Sequence, residues 1–170
     1  IPQTVSLVLA ASSRLRRYAD TIAEVPQVLY IGRGASYPLA MEGALKLKEI
    51  AYVHAEGFAA GELKHGPLAL VEEGTPLLAI CPSDGLFDKT LSNVQEAAAR
   101  GATPFILTDV DGIGRALQIG SGALVLPNLD PLVQPFAYAT ALQLIAHHAA
   151  AAGGKNVDRP RNLAKSVTVE

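Results

Sequence analysis

The chain has 170 residues, of which 14 are basic and 16 acidic, giving a formal net charge of −2 at pH 7. This near balance predicts no nucleic-acid partner and no attachment to an anionic membrane. Hydrophobic residues make up 49% of the chain, yet no apolar run approaches the roughly 20 residues that span a bilayer. The single cysteine, Cys81, excludes an internal disulfide and favours a reducing compartment, so we expect a cytoplasmic protein.

Apolar periodicity predicts a leading helix within residues 5–25 and a first strand at residues 27–31. The sequence then alternates between further helices and strands. These predicted elements are a helix at 38–53, a strand at 76–81, a helix at 88–100, strands at 103–108 and 123–126, and a helix at 131–152.

The predicted strands are apolar on both faces and alternate with helices, which is typical of a parallel sheet covered on both sides. We therefore predict an α/β three-layer sandwich, with a flavodoxin-like parallel sheet of four to five strands and helices on both faces. Ligands of such sheets bind outside the carboxyl ends of the strands. This rule places residues 32–36, 82–87 and 108–112 around one rim.

One domain is expected over residues 1–155, with a leading helix at 1–25 and the sheet and its helices at 26–155. A polar tail without periodicity occupies residues 156–170. Because the chain begins with isoleucine rather than methionine, we expect it to belong to a longer protein.

The helix at residues 38–53 carries Glu42, Lys46 and Glu49 at i, i+4 and i+7, so these charges form one row. An exposed ladder of ion pairs is the simpler interpretation, whereas partial burial would suit the row to proton transfer. Apolar residues flank the row on two sides, which predicts that the helix contacts both its own sheet and a second domain or subunit. The two apolar stripes are Leu39, Gly43, Leu47 and Ile50, and Met41, Leu45 and Tyr52.

Residues 54–67 place two histidines, two glutamates and a lysine among glycines and alanines, and we interpret the segment as a functional loop. No metal is predicted, because His54 and His65 lie far apart and no cysteine or HExxH motif accompanies them. One histidine and one carboxylate suffice for proton transfer.

A phosphate site needs hydroxyl groups and backbone N–H groups, ideally at a helix N-terminus. The loop at residues 81–88 offers one serine and two aspartates, which is a poor match. Ser36 is interpreted as a helix N-cap, with a minor phosphate contact as the alternative. Cys81 is expected to be a buried small residue rather than a nucleophile.

Four motifs together resemble the second sugar isomerase (SIS) domain of the glucosamine-6-phosphate synthases, and the resemblance covers essentially the whole chain. They are IGRG at 31–34, LKLKEI at 45–50, GELKHGPLAL at 61–70 and PRNLAKSVTVE at 160–170. The resemblance implies the isomerase half of an enzyme of amino-sugar biosynthesis. That enzyme converts fructose 6-phosphate and glutamine-derived ammonia to glucosamine 6-phosphate without a cofactor.

The resemblance also implies roles for individual residues. Glu49 matches the general base that moves a proton between C1 and C2 of the sugar. His65 matches the histidine that helps to open the sugar ring, in the site of the neighbouring subunit. Lys165 matches the lysine that holds the open ketose as a Schiff base. The tail is expected to fold over the site, and the expected substrate contacts are Lys46, Ser36, Arg161 and Ala164.

The implied partners are a preceding SIS domain that grips the phosphate, a glutaminase domain and a second copy of the protein in a homodimer. The isolated chain is therefore expected to be inactive. One alternative is an ammonia-independent sugar-phosphate isomerase or deaminase of the same superfamily. Another is a non-catalytic sugar-phosphate sensor, against which the joint presence of Glu49, His65 and Lys165 argues, because a sensor needs no base for a carbon acid.

Overall fold

A computed structural model describes residues 1–119 and 122–163, and its centre is a sheet of five parallel strands. The spatial order is β2-β1-β3-β4-β5, which is the flavodoxin-like order. The predicted parallel sheet is thus confirmed with five strands. Their bounds are β1 (Gln27–Gly32), β2 (His54–Ala59), β3 (Pro76–Ile80), β4 (Thr103–Asp109) and β5 (Gly122–Leu126).

Helices cover both faces of the sheet, as predicted. They are α1 (Pro2–Ala10), α2 (Ser12–Ile22), α3 (Ser36–Ala51), α4 (Phe87–Ala98), α5 (Ile113–Ala116) and α6 (Gln134–Ala152), with two 3₁₀ segments at Ala60–His65 and Pro67–Leu70. Within the described residues, no helix combines the length and apolar character needed to cross a membrane.

The two faces of the sheet carry separate apolar cores. Alternate side chains of β1 divide between them, with Val28 and Tyr30 in one core and Leu29 and Ile31 in the other, as the two-residue period of a strand requires. The first core joins the sheet to α1, α2, α3 and α6, and the second joins it to α4, α5 and the first 3₁₀ segment.

Helix α3 packs closely against both β1 and α6, and a glycine makes this close approach possible. A Cβ atom at Gly43 would lie 2.9 Å from Leu142 Cδ2 and 2.9 Å from Tyr30 Cε1. Leu47 is fully buried one turn further on. The opposite side of α3 leaves Met41 and Leu45 exposed, so only one of the two predicted apolar stripes is buried within this chain.

The predicted leading helix is divided in the structure. Ala11 interrupts it with φ −86° and ψ 4°, and its N–H bonds to Val8 O in a tighter turn. Both resulting helices contribute to the core that contains α6. The two parts pack on α6 separately, a tertiary effect that local periodicity does not report.

The predicted loop at residues 54–67 is wrong in its first part, because residues 54–59 form the edge strand β2. Its register with β1 runs from Gln27↔His54 to Gly32↔Ala59. A Cβ atom at Gly57 would lie 2.7 Å from Met41 Cα, so glycine lets α3 lie directly across the strand. The segment has no clear alternation of apolar and polar residues, and its pairing with β1 makes it a strand.

Candidate functional site

The charged row on α3 forms a connected group in the structure. Lys46 Nζ lies 2.8 Å from Glu49 Oε2 and 3.8 Å from Glu42 Oε1. The hydrogen bond that Lys46 donates to Glu49 raises the pKa of the lysine. Lys46 therefore stays protonated and places a cationic donor beside the carboxylate.

The row is only partly shielded from solvent, with Lys46 31% exposed and Glu49 28% exposed. Such partly exposed pairs contribute about 1 kcal/mol or less to folding, so the fold does not depend on this contact. The predicted ladder is formed, and its Glu49 end is the less exposed, since Glu42 is 38% exposed. Both charges of the closer pair remain accessible to a ligand.

The carboxyl end of α3 holds the start of the C-terminal tail. The backbone N–H of Arg161 donates a hydrogen bond of 2.8 Å to Tyr52 Oη. The Arg161 guanidinium carbon lies 4.2 Å from the centre of the Tyr52 ring. Tyr52 follows Glu49 by three residues, which is roughly 4.5 Å along a helix axis. The structure thus places the predicted tail residue Arg161 against the residue that ends α3.

His65 lies at the end of the first 3₁₀ segment, with its ring paired to a carboxylate. His65 Nδ1 is 2.7 Å from Glu62 Oε2, and both side chains are exposed. A carboxylate only accepts hydrogen bonds, so Nδ1 carries a proton and Nε2 is the acceptor of the neutral ring. Sequence reasoning missed this orienting role of Glu62, although its spacing of three residues from His65 could have indicated it.

The structure does not bring His65 and Glu49 together within one chain. The 3₁₀ segment of His65 buries Ala60 and Leu63 in the core shared with α4. Helix α3, which carries Glu49, packs in the core on the other face of the sheet. The sheet therefore separates the two predicted catalytic residues.

The 3₁₀ segment is fixed to α4 by polar contacts. Lys64 Nζ lies 2.7 Å from Glu96 Oε1. Arg33, which follows β1, donates to Asn93 Oδ1 through Nη2 at 2.9 Å and Nε at 3.2 Å. A Cβ atom at Gly61 would lie 2.9 Å from Arg33 Nη2, so the guanidinium also supports the segment that leads to His65.

Ser36 lies at the amino end of α3, far from the charged row. Thirteen residues separate it from Glu49, roughly 20 Å along a helix. The N-cap prediction is wrong, because Ser36 is the first helical residue and its neighbour Ala35 caps the helix without a side-chain bond. The Ser36 N–H is already bonded to Arg33 O at 2.9 Å, and this turn starts the helix.

Ser36 lines a crevice of about 350 Å³ at the carboxyl ends of the strands, where the three predicted rim segments meet. Three aspartates line it as well, and the most buried, Asp109, accepts hydrogen bonds from Ser83 N–H and Gly112 N–H. Their negative charge opposes a phosphate group. The crevice lining includes Ser36, Ser83, Asp84, Asp109, Asp111 and Asn128.

Cys81 is fully buried directly after β3, as expected. Burial raises the pKa of its thiol to about 12, so the thiolate that a nucleophile requires does not form near neutral pH. Among the described residues, no three His, Cys, Asp or Glu side chains are grouped as metal ligands.

A cavity of about 640 Å³ has none of the predicted site residues in its lining. Thr103 and Gly122, which begin β4 and β5, lie in its wall. It is therefore at the amino end of the sheet, whereas ligands of this fold class bind at the carboxyl end. The two remaining predicted residues, Ala164 and Lys165, lie outside the described residues.

Comparisons with known proteins identify the family of this chain. A profile of the SIS domain family matches residues 21–152. The chain is 51% identical over 169 residues to the glutamine–fructose-6-phosphate aminotransferase (isomerizing) of Zymomonas mobilis, covering 99% of this chain and 28% of that protein. A protein of the same name from Bradyrhizobium diazoefficiens is 51% identical over 170 residues, again across 28% of its own length.

Among solved structures, the C-terminal domain of glucosamine-fructose-6-phosphate aminotransferase from Francisella tularensis matches with a TM-score of 0.88 and 39% identity. The match covers 92% of this chain and 44% of that one. The chain thus spans between a quarter and a third of the length of the curated relatives. The resemblance inferred from the four motifs is confirmed, and the chain belongs to the SIS domain family.

Proposed function

We propose that this chain carries the general-base half of a sugar-phosphate site within a larger aminotransferase. The reaction proposed is the conversion of fructose 6-phosphate and glutamine-derived ammonia to glucosamine 6-phosphate. The observation that carries this proposal is the Lys46–Glu49 pair, whose charged atoms lie 2.8 Å apart and are only partly shielded from solvent. The relatives at about half identity bear names that state this chemistry.

The proton transfer needs one carboxylate. Once ammonia has replaced the C2 oxygen as an imine, Glu49 takes a proton from C1, and the C–H electron pair forms a C1–C2 double bond while the imine nitrogen gains a proton. Glu49 then returns its proton to C2 as the C1 hydroxyl loses its own. The products of this step are an amine at C2 and an aldehyde at C1. The Lys46 cation would stabilise the oxygen of the enolamine intermediate.

We propose that a second copy of the protein supplies His65. The sheet separates His65 from Glu49 within one chain, and His65 is well exposed at the surface. A twofold dimer brings the same two surfaces together twice, so each site would combine Glu49 of one copy with His65 of the other. Exposed Met41 and Leu45 on α3 offer apolar surface for another domain or copy.

The phosphate group would be held by residues outside this chain. The acidic crevice beside Ser36 is unsuited to phosphate, which supports a separate phosphate-binding SIS domain as partner. Lys165 would form the Schiff base with the open ketose, and Arg161 and Ala164 would line the sugar site. A lone buried thiol at Cys81 fits a reducing, cytoplasmic setting.

A chimera tests the function. The 169 matched residues of the Zymomonas mobilis relative are replaced by this chain, and glucosamine 6-phosphate formation is measured with fructose 6-phosphate and glutamine. We expect activity in the chimera and none in the isolated chain. Isomerisation of fructose 6-phosphate without glutamine, and no amino sugar with it, would favour the ammonia-independent isomerase instead.

Glu42 and Glu49, which lie on opposite sides of Lys46 along α3, provide a matched pair of variants. Glu49→Gln in the chimera should lower kcat by about 10² to 10⁴, the range for a general base. Glu42→Gln removes the more distant and more exposed partner of Lys46 and should change kcat by less than about fivefold. Equal losses in the two variants would exclude Glu49 as the base.

A further inference from the structure

Tyr52 ends helix α3 in a conformation that its side chain does not favour. Its φ is 62°, in the left-handed region. Glycine or asparagine adopts this conformation at lower cost, whereas a bulky residue there is an outlier. The choice of tyrosine at this position therefore needs an explanation in the contacts that its ring makes.

Those contacts are with the tail, 109 residues away along the chain. The Tyr52 hydroxyl accepts the backbone N–H of Arg161 at 2.8 Å. The face of the ring lies under the Arg161 guanidinium at 4.2 Å, a geometry in which the cation is attracted by the ring. One side chain thus holds both the backbone and the side chain of the same tail residue.

The tail reaches Tyr52 along an ordered path from α6. Gly154 turns the chain with φ +66°. Asn156 Oδ1 then accepts the N–H groups of Asp158 and Arg159 at 3.0 and 3.2 Å, and Val157 packs against the core that contains α3. These contacts bring the tail back to α3, where Tyr52 makes the next contact.

We propose that Tyr52 is a positioning residue, a clamp that fixes Arg161 against the carboxyl end of α3. This inference rests on the proposed function for its catalytic meaning. Arg161 is one of the residues proposed to line the sugar site, so the clamp fixes a group of that proposed site at the end of α3.

The test measures tail mobility on the isolated chain, so it needs no turnover. Leu163→Cys introduces an exposed thiol two residues after Arg161, since Leu163 is 55% exposed. Cys81 is buried, with its thiol pKa raised to about 12 by burial, so a maleimide fluorophore labels position 163 selectively. Time-resolved anisotropy then reports whether the label tumbles with the protein or with a free segment.

Three variants separate the contacts. Tyr52→Phe keeps the ring and loses the hydrogen bond, and Arg161→Lys keeps the backbone N–H and loses the planar stack. Tyr52→Asn removes both contacts while suiting the left-handed backbone, so it should not unfold α3. We expect the label's correlation time to fall at least about threefold in Tyr52→Asn and partially in the other two.

The matched control is Tyr37→Phe, which removes a hydroxyl from the amino end of the same helix. It should leave the label's correlation time unchanged. The proposal would be wrong if the label's correlation time were as long in Tyr52→Asn as in the parent chain. It would also be wrong if that time were already short in the parent chain. In the active chimera, Tyr52→Asn should lower kcat more than it raises KM, with Tyr52→Phe intermediate. Failure of the chimera would refute the proposed function and leave the mobility result intact.

Discussion

The two ends of helix α3 differ in almost every property that matters for a ligand. At the amino end, Ser36 is buried beside a crevice lined by three aspartates. Toward the carboxyl end, the Lys46–Glu49 pair is partly exposed, and Tyr52, which ends the helix, contacts the tail residue Arg161. The amino end occupies the usual ligand position of a doubly wound sheet, yet its charge opposes the phosphate of a sugar phosphate.

The position at which this type of fold usually binds ligands and the position of the charged row on α3 are therefore different parts of the domain. A crevice is present at the carboxyl ends of the strands. Its most buried aspartate, Asp109, accepts hydrogen bonds from the backbone of Ser83 and Gly112 and so holds the neighbouring loops. The groups suited to proton transfer lie instead on the side of a helix. For the proposed site at that position, we expect a partner domain or a second copy to complete it.

The largest expected effect tests whether the carboxyl end needs a second copy. Glu49→Gln and His65→Asn chimeras should each be inactive alone. Co-expressed with different tags, they should recover about one quarter of normal activity, since half of the dimers are mixed and each mixed dimer has one intact site. No recovery in the purified mixed dimer would show that both residues act within one chain.

The second effect tests how the charged row is supported. Leu47→Ala empties a fully buried position between Lys46 and Lys48 and should lower the free energy of unfolding by about 2–5 kcal/mol. Leu45→Ala, on the exposed side of the same helix, should cost less than about 1 kcal/mol. Urea denaturation followed by circular dichroism compares the two. Similar losses of unfolding free energy in the two variants would mean that Leu45 is also packed against other parts of the chain.

The third effect concerns the charge at the carboxyl end. The pKa of Lys46 is raised above its ordinary value of 10.5, chiefly by its hydrogen bond to Glu49. A group with a raised folded pKa contributes stability that is fully present below about pH 10.5 and is lost as pH rises through the folded value. The ¹³Cε shift of Lys46 should titrate at lower pH in Glu49→Gln. An unchanged midpoint would contradict the pairing.

The smallest effect is expected at the amino end. Ser36→Ala should change the KM for fructose 6-phosphate by less than about twofold in the chimera, because the acidic crevice is not expected to hold phosphate. Lys46→Met in the same chimera should lower kcat/KM by more than tenfold. A large KM increase in Ser36→Ala would reassign the phosphate site to this crevice and reverse the comparison.

Much of the fold follows from local sequence. The strands β1, β3 and β4 are buried on both faces, so their continuous apolar runs identify them without tertiary information. The edge strand β2 does not show this signal, because its pairing with β1 and the close approach of α3 at Gly57 define it. The break at Ala11 was likewise hidden, since both parts of the leading segment are helical.

The sequence by itself determined the row of Glu42, Lys46 and Glu49, because helical spacing aligns residues three and four apart regardless of what surrounds them. Only the tertiary structure decided that the sheet separates Glu49 from His65, and that Tyr52 meets Arg161 across 109 residues. Such contacts depend on how layers pack and where a chain returns. Local periodicity carries no information about either, so it predicts the charged row but not which distant elements lie next to it.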